Sequence, residues 1–145
     1  MEWDKYFFNL VDAVALKSKD PSSQVGAVIV NPESNAILST GWNGFPRGVE
    51  DSIKRYEDRD IKYQLVVHAE QNAILNAARH GIKLEGSMLY VSFHPCHVCA
   101  ASIIQCGIQE VRFKINRDVQ KRWRDSFDIA DMLFLEANIR VRGYV

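Results

Sequence analysis

Ser87-Met88-Leu89-Tyr90-Val91-Ser92-Phe93 runs into Pro95-Cys96-His97-Val98-Cys99 and on through Ala100-Ala101-Ser102-Ile103-Ile104 to Gly107. The first block is a mostly apolar run that suits a strand buried on both faces. The last block reads as a helix, with Pro95 where a helix start tolerates it and Gly107 as the stop. The same order occurs upstream. Val66-Val67 leads into His68-Ala69-Glu70, and the run to Arg79 is rich in strong helix formers until Gly81 ends it. A strand that delivers a polar turn onto a helix start is the repeating unit of an α/β protein.

Working outward, Gln24–Val30 and Ala36–Trp42 read as two strands joined by the polar turn Asn31-Pro32-Glu33-Ser34-Asn35, which makes an opening hairpin. Ahead of them, Trp3, Tyr6, Phe7, Leu10, Val11 and Val14 recur at three- and four-residue steps and predict a core-packing helix ended by Pro21. Residues 43–64 change to charge and turn residues and read as a long loop with a short helix in it. Glu110–Ile115 alternates strictly, as a half-covered strand does. Trp123, Phe127, Ala130, Leu133, Phe134 and Ala137 predict one more helix, Asn138 a left-handed cap, and Ile139–Arg142 a last strand. The expected fold is a three-layer α/β/α sandwich over residues 1–145, organised as a single domain.

Composition excludes several classes. A chain of 145 residues, 47% hydrophobic, fits one domain with an ordinary core. Its 18 basic and 18 acidic residues cancel, which speaks against a broad footprint for nucleic acid or an anionic membrane. No apolar run approaches the roughly 20 residues of a membrane span, and the start has no signal-peptide character. Three cysteines, two of them in Cys-x-x-Cys, are a poor disulfide set and a good metal set, so a cytoplasmic location is expected.

The chemistry lies in the two turns. His68, Cys96 and Cys99 offer one imidazole and two thiolates, a set that suits Zn²⁺, and three protein ligands leave the fourth tetrahedral position open for water. Glu70, two residues after His68, is a carboxylate placed to carry protons without ligating the metal. Both ligand groups sit at expected helix N-termini, where the dipole and free N–H groups favour thiolate over thiol. A structural zinc would need a fourth ligand from His94, His97 or Cys106, and a redox Cys-x-x-Cys would need no His-x-Glu partner. Asn43 carries a donor and an acceptor able to hold a sugar hydroxyl or base carbonyl. Arg47 offers a planar fork for a 5′-phosphate.

The His-x-Glu…Pro-Cys-x-x-Cys pattern is the recorded signature of the zinc deaminases, and the chain resembles that family, most closely its deoxycytidylate (dCMP) branch. Ser18–Ala27, Gly41–Gly48 and Ile103–Ile108 are also similar to segments of those enzymes, so the likeness runs from the first helix to about residue 115. It implies the cytidine deaminase-like fold, a five-stranded mixed sheet between helices, with Zn²⁺ as cofactor. It implies hydrolytic deamination of dCMP to dUMP and ammonia, with Glu70 as proton shuttle and the Ala69 N–H as a donor to the ring carbonyl. In such enzymes the Gly-x-Asn-Gly stretch, Gly41–Gly44 here, borders the nucleotide pocket. Homo-oligomers, commonly hexamers, and dCTP and dTTP as effectors are further implications. His97, Cys106 and Arg122-Trp123 depart from the family's better-known members. Another cytosine nucleoside or nucleotide, or an editing deaminase acting on nucleic acid, remains an alternative substrate at this point. An editing enzyme would need a basic channel with aromatic platforms, and the charge is neutral.

Overall fold

The computed structural model describes residues 1–145 and contains five strands and seven helices. In chain order these are α1 (Trp3–Ala15), β1 (Gly26–Val30), β2 (Ile37–Trp42), α2 (Ile53–Glu57), α3 (Arg59–Leu65), α4 (Ala69–Arg79), β3 (Met88–Val91), α5 (His97–Gln105), β4 (Glu110–Lys114), α6 (Arg117–Arg122), α7 (Arg124–Glu136) and β5 (Arg140–Tyr144). The strands form one sheet in the order β2-β1-β3-β4-β5. β1 pairs antiparallel with β2 and β3, while β3, β4 and β5 are parallel, so the sheet is mixed as expected.

Alternation along the central strands builds two cores, since successive side chains leave opposite faces. Ala27, Ile29, Leu89, Val91, Val111 and Phe113 face α4, α5 and α7, which contribute Ala69, Ala73, Ala77, Ala100, Ile103, Ala130 and Phe134. Val28, Val30, Met88 and Tyr90 face α1 through Phe7, Phe8 and Val11. Three layers result, one of them a single helix. No helix is long and apolar enough to cross a membrane.

The position of α4 depends on Gly41. A Cβ there would lie 2.3 Å from the Ala73 nitrogen and 2.5 Å from the Ala69 carbonyl oxygen, so only glycine lets the helix backbone rest on β2. Polar ties fix the register: Ser39 Oγ donates to the Ala73 carbonyl, Asn72 Nδ2 to Trp42 and Asn76 Nδ2 to Thr40.

Three expectations change. Along α1 the buried face is Phe7, Phe8, Val11 and Ala15, while Trp3 is 55% and Tyr6 38% exposed. Phe8 turns inward because Tyr90 and Tyr144 offer it ring edges, and Trp3 and Tyr6 pack on Phe7 from the flank. The 43–64 segment holds two short helices, α2 and α3, the second capped by Asp58, which accepts from the Ile61 N–H. Its anchor is Tyr56, buried and stacked on Phe45. The helix expected from Trp123 to Ala137 is present as α7, and a further short helix, α6, precedes it and meets it at Trp123. Asn138 takes the left-handed conformation expected of it, with φ 60°.

Candidate active site

His68 is the N-cap of α4 and Cys96 the N-cap of α5, so both ligand turns end on helix N-termini. The segment before His68 is held by a two-way backbone pair, Gly44 N–H to Val67 O and Val67 N–H to Gly44 O. Strand β3 carries the chain to Pro95 and Cys96 from the other side. The turns meet: His68 Nδ1 stands 3.5 Å from Cys96 Sγ and 3.3 Å from Cys99 Sγ. The ligand atoms of all three residues lie within 4.8 Å of one another.

These separations test the donor set for zinc. Bonds of about 2.3 Å to sulfur and 2.0–2.1 Å to nitrogen at a tetrahedral angle put N and S about 3.6 Å apart. The spacing in the protein is that of ligands around one shared ion. A soft–borderline N,S,S set with only three members fits a Zn²⁺ that keeps one position open.

Electrostatics at the centre agree. The Cys96 thiol is pulled down to about 4 by a hydrogen bond from Cys99 and, against the opposing effect of burial, by His68. Cys99 is pushed up by donating to Cys96 and by its burial, and His68 is raised chiefly by its contact with Cys96. The Cys99 N–H also donates to Cys96 Sγ. Those shared protons are what a cation replaces. Glu70 is 5% exposed, and burial raises its carboxyl above the usual range, with the nearby His68 acting in the opposite direction. A carboxyl so placed holds a proton more readily than one in water.

The centre opens on a cavity of about 200 Å³. His68, Ala69, Glu70 and Cys96 line it, as does Asn43, so the structure brings these sequence-identified residues together. As the first helical residue, Ala69 has an N–H without an intrahelical acceptor. Asn43 is occupied: Oδ1 accepts from the Val25 N–H, Nδ2 donates to the Ser23 carbonyl, and its own carbonyl accepts from Ser18 Oγ. It clamps the Ser18–Val25 loop to the end of β2 and so shapes the cavity wall.

Arg47 does not reach the cavity. Its guanidinium is engaged by Asn76 Oδ1 at 2.6 Å, because the Pro46 turn carries it alongside α4. The cations that do line the cavity are Arg59, Lys62 and Arg122. Lys62 is compensated by the buried Asp20 at 2.7 Å, whereas Arg59 and Arg122 have no ion-pair partner. Trp123 and Phe127 complete the wall. Sequence reasoning missed Arg59 because it sits in a mixed-charge stretch, although α3 ends only three residues before His68. Arg122 and Trp123 were visible as a departure from the family pattern, yet nothing local placed them at the site. His94 and His97 are not metal ligands here: His94 bonds to Asp131 and Pro95, and His97 to Ser126. Cys106 lies at the far end of α5, its thiol donating to the Ile103 carbonyl.

A three-layer α/β/α sandwich whose His68, Cys96 and Cys99 could hold one metal ion, with a buried carboxylate beside them, defines the class of the zinc-dependent hydrolytic enzymes. The model of the cytidine and deoxycytidylate deaminase zinc-binding region matches residues 1–115. The human deoxycytidylate deaminase is 40% identical over 152 aligned residues, covering 100% of this chain and 81% of its own. A deaminase of Aliivibrio fischeri is 43% identical over 141 residues, covering 97% of this chain and 92% of its own. The structure of the dCMP deaminase from cyanophage S-TIM5 in complex with dCMP and dUMP is similar at a TM-score of 0.78 and 25% identity, covering 97% of this chain and 95% of that one. The chain belongs to the cytidine and deoxycytidylate deaminase family. It is a zinc-dependent deaminase with the cytidine deaminase-like fold.

Proposed function

We propose that this chain hydrolyses dCMP to dUMP and ammonia, with residues 1–145 acting as one deaminase domain. The observation that carries the reading is the His68–Cys96–Cys99 donor triangle with Glu70 buried beside it, opening on a cavity that holds two uncompensated guanidinium groups. His68, Cys96 and Cys99 would hold the Zn²⁺. When bound, the ion supplies the Lewis acidity that makes a water molecule nucleophilic toward C4 of the cytosine ring.

The chain's own groups do the rest. Glu70 accepts the proton released from the water and passes it to ring N3, then takes the proton of the new C4 hydroxyl and delivers it to the amine, so that the C4–N bond breaks, the C4 carbonyl forms and ammonia leaves. The Ala69 N–H donates to the ring carbonyl and orients the base. Asn43 holds the sugar-side wall in shape through the Ser18–Val25 loop. Arg59 and Arg122 take the 5′-phosphate role that sequence had given to Arg47. Their two charges match the roughly −1.5 to −2 of a phosphate monoester, and the guanidinium fork suits its oxygens.

Three finer readings accompany this one. A homo-oligomer, a hexamer by family likeness, is supported by the exposed apolar residues Leu75, Val98, Met132 and Leu135. Effector binding of dCTP and dTTP rests on the family likeness alone, and the cytoplasmic assignment on three unpaired cysteines. Ammonia release from dCMP, CMP, deoxycytidine, cytidine, dCTP and a short tRNA stem, with and without dCTP as activator, tests the substrate. Preference for dCMP is expected. Equal turnover of deoxycytidine would remove the phosphate from the reading, and turnover of the tRNA stem would replace it with editing.

A further inference from the structure

The metal-ligand turn is held by α7, a helix outside the 1–115 region that the family model matches and one whose Phe127 also lines the cavity. His94 is 6% exposed, its ring stacked on Phe127 at 4.5 Å and edge-on to Phe113 at 4.9 Å. Its Nδ1 stands 2.8 Å from the Pro95 carbonyl oxygen and its Nε2 2.6 Å from Asp131 Oδ1. Three residues on from His94, the His97 N–H donates to Ser126 Oγ at 3.0 Å. Asp131 and Ser126 both belong to α7.

The peptide chemistry gives these contacts a target. The Pro95 carbonyl is half of the planar Pro95–Cys96 peptide unit, and the His97 N–H is half of the Cys96–His97 unit. Fixing both planes fixes the Cα–Cβ direction of Cys96 between them. Neither contact touches the thiol, yet together they set where Cys96 Sγ stands relative to His68 Nδ1.

We propose that the His94–Asp131 pair, seconded by Ser126, is a positioning device that locks the Cys96 turn onto α7 and so retains the metal. Hydrogen-bond partners behind first ligands generally govern ligand orientation and metal affinity. Here the partner acts on the ligand's backbone, and it comes from a segment that the family signature does not include. The inference rests on the reading of His68, Cys96 and Cys99 as the metal ligands.

The test is the rate at which zinc-loaded full-length protein gives up its ion to a chromogenic chelator, at a temperature far below unfolding. Asp131→Ala and His94→Phe, the latter keeping a ring on Phe127, should each release zinc about 10- to 100-fold faster than the unaltered protein. Asp131→Asn, whose amide oxygen still accepts from Nε2, should restore slow release. Because Asp131 is exposed on its solvent side, its substitution leaves the core intact. Release at the unaltered rate from both Asp131→Ala and His94→Phe overturns the proposal, as does a lowered melting temperature with no change in zinc release. Failure of the unaltered protein to bind zinc would sink the metal reading instead, so the two failures are distinguishable.

Discussion

A Cβ on Gly41 would stand 2.3 Å from the backbone nitrogen of Ala73, so β2 and α4 touch backbone to backbone at the point that sets the helix carrying His68 and Glu70. Gly41→Ala must therefore push α4 outward. The expected cost is about 1–3 kcal/mol of stability, the range for overpacking a tight contact, together with loss of zinc affinity because His68 moves away from the cysteines. Urea midpoints and zinc content check it. An alanine variant with unaltered stability and metal content would contradict the account of how α4 is placed.

Glu70 is assigned proton transfer and no metal bond, which separates two observables. Glu70→Gln should bind zinc as the unaltered protein does and lose about 10²- to 10⁴-fold in kcat. Its stability should hardly change, since burial already favours an uncharged side chain there. Metal analysis and steady-state kinetics on one preparation suffice.

The phosphate assignment predicts a substrate-dependent defect. Arg59→Ala and Arg122→Ala should raise KM for dCMP by about 10-fold or more each, as loss of a charge-assisted bond of about 1.5–3 kcal/mol requires. Any residual activity on deoxycytidine should be unchanged. Arg47→Ala, by contrast, releases only a surface bond to Asn76 and should leave KM for dCMP alone.

Away from the site, Asp4 ties α1 to the sheet: Tyr90 and Tyr144 hydroxyls and Arg112 all donate to its carboxylate. Burial works to raise its pKa, but these hydrogen bonds outweigh it and hold the carboxyl below its ordinary 3.8. A carboxyl depressed in the folded state stabilises above its unfolded pKa, and the contribution disappears as pH falls through the folded value. Asp4→Asn should thus be about 1–3 kcal/mol less stable at pH 7, and the difference from the unaltered protein should shrink below about pH 4. Denaturant midpoints between pH 3 and 7 measure it.

What the sequence revealed and what it hid follow from range. His68, Glu70, Cys96 and Cys99 declare themselves because each pair is local, and both pairs sit where a helix begins, which sequence punctuation marks well. The mixed sheet was implied by family likeness, since hydrophobic pattern alone cannot say that β1 turns antiparallel to β3. Helix α1 was placed correctly but rotated, because Tyr90 and Tyr144, some 80 to 140 residues away in sequence, decide that Phe8 and not Tyr6 goes inward. Arg47 looked like a phosphate ligand beside Gly44, yet Asn76 across the fold captures it. Arg59, Arg122, Trp123 and His94 reach the cavity only through the packing of α3, α6 and α7 around it, which no single window of sequence records.

Deamination by this chain adds water to C4 of dCMP and releases ammonia. Running the zinc-loaded protein on dCMP in water enriched in oxygen-18 measures that step directly, by mass spectrometry of the pyrimidine product alongside an ammonia assay. The expected product is dUMP carrying one solvent oxygen at C4, with ammonia in equal amount. Unconverted dCMP, or a product without solvent oxygen in its ring carbonyl, would contradict it.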